Sequence, residues 1–238
     1  MSYNNAIKIQ QEYYNRTASH YDDMHLNLGN DPEHDFALAF LSATIDFCSI
    51  KSILDVGAGT GRTITYLKEK FPELHVVGIE PVEGLRSNGY EKGISKDILI
   101  DGSGTSIKFK DGEFDCVCEF GVLHHVAEPK KMVSEMLRVA KKAIFISDAN
   151  NFGQGSYIRR SFKQAINSVG LWKAFNFLKT KGKGYQITEG DGLAYSYSVY
   201  NNYQQIKRAC KRVHTINTKD GGINPYRTAE HVAILGIK

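Results

Sequence analysis

Two periods of hydrophobic and polar positions alternate along this chain. Short apolar runs begin near residues 52, 75, 97, 114 and 142, and stretches with apolar positions at helical spacing lie near 61–70, 82–91 and 130–140. A short apolar run closed by an acid or a glycine reads as a buried strand, and recurrence at i, i+3 and i+4 reads as an amphipathic helix. Their alternation predicts a doubly wound α/β sheet, parallel over these five strands, with helices on both faces. Upstream, Ile7 to His20 has helical spacing. Phe36 to Phe47 forms a second helix with Phe36, Leu38, Phe40, Leu41, Ile45 and Phe47 to brace one face. Downstream, a helix near 201–212 is followed by two more strands, Arg212 to Lys219 and His231 to Lys238, about a Gly-rich turn at Asp220-Gly221-Gly222. The total is seven strands.

Between the fifth strand and that last helix lies Ala149 to Tyr200. Connections in such folds usually take a handful of residues, so an insertion of this length is expected to serve function. Ile158, Phe162, Ile166 and Val169 fall at helical spacing, followed by Leu171, Trp172, Phe175 and Leu178, with Arg159, Arg160 and Lys163 among them. The segment reads as a substrate lid; an amphipathic surface resting on a membrane and a homodimer contact are its alternatives. Gly190 to Tyr200 is aromatic and small, suited to stacking on a flat or sugar-like molecule. The organisation is one structural domain: cover helices over 1–50, an α/β core over 51–148, the insertion over 149–200, and a helix with two strands over 201–238 that completes the core.

The chemistry gathers at strand ends. Ile53-Leu54-Asp55-Val56-Gly57-Ala58-Gly59-Thr60-Gly61-Arg62 is an apolar run, an acid, three alternating glycines and a helix start. Glycines there supply positive φ and let a ligand approach the backbone, while the helix N-terminus attracts anionic groups. The dinucleotide fingerprint would place its last glycine at 62, which is arginine here. The pattern D-x-G-x-G-x-G instead resembles motif I of the class I S-adenosylmethionine (SAM) methyltransferases. That resemblance implies that Gly57, Gly59 and Gly61 make room for the methionine and ribose parts of SAM, with Asp55 orienting the turn and the amino-acid end. A second run, His75 to Pro81, ends in Glu80, whose carboxylate would accept bonds from both ribose hydroxyls, with Pro81 beside it. Asp97 to Ser103 is similar to the family's third strand and adenine loop. The adenine contact is left between Asp101 and Ser103, with Gly102 between them. Phe114 to Val126 resembles the F-D-x-V…L-H-H-V stretch of small-molecule members, which implies that Glu119 and Phe120 border the cofactor and that His124 and His125 sit near the acceptor. Tyr13 to Asp22 is similar to the N-terminal segment that folds over the cofactor, making Tyr14 and Tyr21 candidates for closing the site. The family also ends its sheet in an antiparallel pair, so the expected fold is the seven-stranded, mostly parallel class I methyltransferase sheet with a C-terminal antiparallel hairpin.

Methyl transfer to a hydroxyl requires alignment and removal of the acceptor's proton. Histidine is the natural base near neutral pH, and an acid that orients it completes a pair. Asp148 ends the fifth strand beside the fourth. Sugar O-methyltransferases of this class use a His-His-Asp grouping, which carries over to His124, His125 and Asp148. There is no Asn/Asp-Pro-Pro-Tyr/Phe segment for base amines, no Pro-Cys, and no carboxylate cluster for a metal. A metal-free O-methyltransferase acting on a sugar, glycan or natural-product hydroxyl leads, its SAM yielding S-adenosylhomocysteine. An RNA methyltransferase and a non-catalytic SAM-binding subunit are the alternatives.

Composition adjusts this picture modestly. The net charge is +4, but basic residues crowd the span 130–183, where Glu135 and Asp148 are the acids, and again at Lys207, Arg208, Lys211 and Arg212. Such an excess favours an anionic or nucleotide- or phosphate-linked acceptor; nucleic acid is disfavoured by the missing base-amine motif. Cys48, Cys116, Cys118 and Cys210 fit no zinc spacing and read as reduced thiols of a cytoplasmic protein. Neither a leader-like N-terminus nor a membrane-spanning stretch is apparent, which leaves only peripheral contact with a bilayer.

Overall fold

The computed structural model describes residues 3–18, 32–219 and 221–238. Its centre is a seven-stranded sheet built from β1 (Ser52–Val56), β2 (His75–Glu80), β3 (Leu99–Asp101), β4 (Phe114–Phe120), β5 (Ala140–Ala149), β8 (Arg212–Asn217) and β9 (His231–Ile237), in the order β3-β2-β1-β4-β5-β9-β8. The strands from β1 to β5 pair in parallel, β9 runs antiparallel to β5, and β8 runs antiparallel to β9.

Residues of the central strands are buried on both faces, which is why they read as continuous apolar runs rather than alternating ones. Ile53, Cys116, Cys118, Ala143 and Phe145 face one layer, with Ala37, Leu41 and Ile45 from α2 (Pro32–Phe47) and Ile64 and Leu67 from α3 (Arg62–Lys70). Leu54, Val117, Ile144 and Ile146 face the other, with Met132, Val133 and Met136 from α5 (Pro129–Val139) and Ile206 from α8 (Tyr203–Ala209). Full burial of one such side chain contributes roughly 1.5–3 kcal/mol. Cys116 and Cys118 share a face, and burial holds both thiols protonated.

At the N-terminal end, α1 (Tyr3–Thr17) lies across α4 (Glu83–Glu91), where Ala18 and Tyr14 pack on Val82 and Leu85. Asn15 accepts from the Gly84 amide at 3.0 Å and so fixes the crossing.

The insertion folds into α6 (Tyr157–Ser168), α7 (Trp172–Lys179) and a hairpin of β6 (Tyr185–Thr188) with β7 (Gly192–Tyr195). The two helices follow the predicted periodicity; the hairpin was not read from the sequence. Its two ends meet at Asn150 and Ser198, which form an isolated bridge. The last two sheet strands are not joined by a tight turn either. Their connection contains α9 (Pro225–Thr228), docked under Asn150, whose Nδ2 donates to the carbonyls of Tyr226 and Ala229, each at 2.9 Å. Gly153 is part of the same knot: a Cβ there would lie 1.8 Å from the Ala229 carbonyl oxygen. No described helix is long and apolar enough to cross a membrane.

Candidate active site

The chain leaves β1 toward β2 and β3 on one side and continues through β4 and β5 on the other, so a crevice opens beyond the carboxyl ends of β1 and β4. The turn after β1 is held by the Gly57 and Ala58 amides, which both donate to the Ile79 carbonyl at 2.8 and 3.1 Å. Gly57, Gly59 and Gly61 have φ of 78°, 55° and 86°. A side chain at Gly57 would also drive its Cβ to within 2.5 Å of Val122. The loop after β4 can therefore close on the loop after β1 only because no Cβ intervenes.

Glu80 ends β2 and is buried at the base of this crevice. Its carboxylate accepts from the Gly59 amide at 3.1 Å and the Val82 amide at 2.8 Å. Both oxygens keep acceptor capacity toward a cavity of about 260 Å³ that Gly57, Gly59, Glu80, Pro81, Ser103, Thr105, Phe120 and Tyr14 line. Burial raises the Glu80 carboxyl to about 7, against the amide bonds that lower it. Burial likewise lifts Asp55 to about 7; Cys118, which donates to its Oδ1 at 3.7 Å, opposes that rise and the nearby Glu80 adds to it.

A second cavity, about 300 Å³, adjoins the first through Gly57, Gly59, Phe120 and His125, and extends to Asp55, Ser147, His124 and Asp191. The Ser147 hydroxyl is buried there without a hydrogen-bond partner among the described residues, a polar group available to a ligand. His124 and His125 stand on the 3₁₀ turn Leu123–His125 after β4. His124 Nδ1 lies 2.7 Å from Asp148 Oδ1, and Asp148 also accepts from the His124 amide at 3.3 Å. Burial pushes the His124 imidazole down, but the Asp148 carboxylate and then Asp191 overcome it, leaving it well above the ordinary histidine value. His125 Nδ1 lies 2.7 Å from the Leu193 carbonyl oxygen and 3.0 Å from Gln10 Nε2; its Nε2 lies 3.1 Å from the Tyr14 hydroxyl. Asp191, at the tip of the β6–β7 hairpin, reaches both rings: Oδ2 is 3.4 Å from His124 Nε2 and Oδ1 is 3.3 Å from His125 Nε2.

A third cavity, about 570 Å³, opens between the insertion and the core. Its floor is His124 and Asp191, its walls include Trp172, Phe175, Tyr195 and Tyr197, and Arg159, Lys163 and Lys179 line its rim. Burial, with Lys179 nearby, lowers the Lys163 ammonium from its usual value.

The structure brings together Tyr14, Asp55, Gly57, Gly59, Glu80, Pro81, Ser103, Phe120, His124 and His125 around the two adjoining cavities, with Asp148 directly behind His124. Other expected residues lie elsewhere. Glu119 does not border the cleft: it is fully buried beneath it and accepts from the Val122 amide at 2.9 Å. The reason is strand alternation combined with the bend at Gly121, which presents Phe120 instead. Asp101 points outward and pairs with Arg86 at 3.0 Å, so of the two adenine-loop candidates Ser103 lines the cavity; Gly102 does not, and a Cβ there would meet Ile79 at 3.0 Å. Gly61 caps α3 rather than lining a cavity. Tyr21 lies outside the described residues. Sequence reasoning missed Asp191, Gln10 and Thr105. Asp191-Gly192 is a hairpin dipeptide and could have been read as a turn, but nothing local says that its carboxylate meets two histidines.

Comparison with known proteins bears on the domain and its fold. Residues 54–146 match the family described as "Methyltransferase domain". An uncharacterized methyltransferase of Mycolicibacterium gilvum is 36% identical over 93 residues, covering 38% of this chain and 35% of that protein. A probable chloroplastic tocopherol O-methyltransferase of Oryza sativa is 33% identical over 94 residues, covering 38% and 26%. The chain thus spans about a third or less of the length of these curated relatives. Among solved structures, the magnesium protoporphyrin IX methyltransferase of Synechocystis with bound S-adenosylhomocysteine superposes with a TM-score of 0.60, at 14% identity, over 98% of this chain and 99% of that one. At that identity the likeness concerns the fold alone.

Proposed function

We propose that this chain carries a methyltransferase domain of the class I SAM-dependent family, to which its residues 54–146 are similar, and that it transfers a methyl group to a hydroxyl of a small sugar-like or natural-product molecule bearing negative charge. One observation carries the reading: the His124–Asp191 floor is shared between the cavity that reaches the glycine turn and the cavity under the insertion. A methyl donor on one side and an acceptor on the other would meet there.

The residues fit SAM. Glu80 can accept from two vicinal hydroxyls while its present amide bonds hold it in place. Gly57 and Gly59 leave the backbone open to close approach, Ser103 and Thr105 offer polar edges for a base, and Ser147 has a hydroxyl without a partner. When bound, SAM supplies an electrophilic methyl on a sulfonium and leaves as S-adenosylhomocysteine. The protein's part is placement and proton removal. The aromatic walls of the insertion cavity suit the apolar face of a sugar ring or a planar ring, and Arg159, Lys163 and Lys179 suit a phosphate or carboxylate on the same molecule. The acceptor's proton leaves at the two-histidine cluster, whose orientation Asp148 fixes from behind.

Calorimetry with SAM and S-adenosylhomocysteine tests the donor half. Saturable binding is expected, and Gly59→Leu should abolish it, since a bulky side chain at φ 55° both strains the turn and fills the cleft. Unaltered binding in that variant would mean that the donor sits elsewhere. For the acceptor half, Asp148→Ala should retain donor affinity while methylation across a panel of sugar phosphates and phenolic acids drops by about 10²-fold or more.

A further inference from the structure

We propose that His124, His125 and Asp191 form a binding site for one divalent cation of the zinc type. Its catalytic role rests on the methyl-transfer reading above; its existence does not. The argument begins with protons. His124 Nδ1 meets a carboxylate oxygen of Asp148 at 2.7 Å, and His125 Nδ1 meets the Leu193 carbonyl oxygen at 2.7 Å. Both partners can only accept, so each Nδ1 carries the hydrogen. Gln10 Nε2, 3.0 Å from the same His125 nitrogen, lies beside that bond without replacing it. Each Nε2 then presents a lone pair, and both lone pairs face the carboxylate of Asp191.

Three acceptors converging on one point require something positive between them. Extra protons on both rings would place two imidazolium cations with centroids 3.9 Å apart. The rival occupant is one proton on His124 Nε2, with the Tyr14 hydroxyl serving His125 Nε2; the 3.4 Å between His124 and Asp191 is long for such a bond. A single cation satisfies all three. The distances agree: charge-assisted N–H···O bonds run ~2.7–2.9 Å, whereas these contacts are 3.4 and 3.3 Å. Two ligand atoms each ~2.1 Å from a tetrahedral ion lie about 3.4 Å apart. The ligand atoms of the three residues all lie within 4.8 Å of one another.

The surroundings also follow the rule for metal-bound histidines, in which the far ring nitrogen donates to a carboxylate or a backbone carbonyl that fixes tautomer and orientation. Asp148, fully buried, does this for His124, and the Leu193 carbonyl does it for His125. With three protein ligands, the remaining coordination position would open on the cavity that Gly121 and Ser147 line, the arrangement of catalytic rather than structural sites. With the ion bound, both Nε2 atoms are ligands and no longer bases, so an acceptor hydroxyl reaching that position would be acidified by the ion and lose its proton to water instead. Its oxygen would keep the electron pair that forms the new C–O bond, as the C–S pair returns to sulfur.

The test uses the full chain, stripped with a chelator and titrated calorimetrically with zinc chloride. One equivalent should bind, and Asp191→Asn and His124→Gln should each weaken it at least tenfold, with SAM binding in the same preparations reporting an intact fold. In the unsubstituted chain, zinc should shift the Nε2 resonances of two histidines while their Nδ1 hydrogens persist, and cobalt should give the visible bands of a four- or five-coordinate ion. Absence of zinc binding, or equal affinity in both variants, would overturn the site. Zinc binding as expected with no SAM binding would instead sink the methyl-transfer reading and leave the metal site standing.

Discussion

Glu80 shows how one carboxylate can be read twice, as a ligand group and as a stability term. Its pKa is raised by burial to about 7 in the folded chain, above the ~4.3 of an unfolded glutamate. Between these values the folded state binds more protons than the unfolded one, so this group lowers stability as pH rises from about 4 to about 7, by an amount on the order of 3–4 kcal/mol. Glu80→Gln removes the titration. Thermal melts of both forms across pH 4.5–8 should show the variant gaining stability relative to the parent as pH rises, whatever constant offset the lost amide bond adds. A parallel course of the two curves would show that the carboxylate is better solvated than its burial implies. Ribose recognition should suffer in the same variant, because the amide keeps one acceptor atom where the carboxylate has two. The acid and its place at the end of β2 were legible in the sequence, because an apolar run closed by an acid marks a strand end. The outward turn of Asp101 toward Arg86 was not, since that pairing depends on a helix 15 residues away in the chain.

At the scale of elements, legibility followed periodicity. The five parallel strands and the helices between them were written in the pattern of apolar positions, because each buries a face or a stripe against one sheet; the two insertion helices carry the same period yet bury no residue, leaving Ile158, Phe162 and Leu178 exposed. The β6–β7 hairpin was not, since it buries little besides Tyr185 and Leu193 and so carries a weak pattern. The α9 connection was also missed, because it is held by scattered polar contacts, from Asn150 and from Arg160, Gln164 and Asn167. The Asn150 amide is fully buried, donates to the Tyr226 and Ala229 carbonyls, and accepts from the Ser198 hydroxyl at 2.8 Å. Asn150→Ala would leave those groups buried and unpaired, each costing about 1–3 kcal/mol. Chemical denaturation should therefore show a loss of about 3 kcal/mol or more. Because Asn150 ties both ends of the insertion to α9, the variant should also lose protection in 150–200 well before it loses the central strands.

At the scale of the whole molecule, the cleft is closed by parts that are distant in sequence. The hairpin bearing Asp191 is docked not on the sheet but on α1: the Tyr13 hydroxyl donates to the Glu189 carbonyl, and Gln10 Oε1 accepts from the Leu193 amide. Tyr14 on the same helix lines the cavity at the glycine turn, and Tyr195 on the hairpin lines both that cavity and the one under the insertion. The N-terminal helix and the insertion thus form one cover spanning the donor and acceptor sides, and either ligand would load it. This coupling was beyond the reach of sequence patterns, because it links residues 10–14 to residues 189–195 by a few polar contacts rather than by a repeat. Hydrogen exchange should expose it. Gln10→Ala removes the acceptor of the Leu193 amide, so exchange at Leu193 and its hairpin neighbours should accelerate at least tenfold, with β1, β4 and β5 unaffected. SAM bound beneath Tyr14 should slow exchange in α1 and, through the shared contacts, in the hairpin as well. Slowing confined to α1 would mean that the two covers move independently and that donor binding does not prepare the acceptor side.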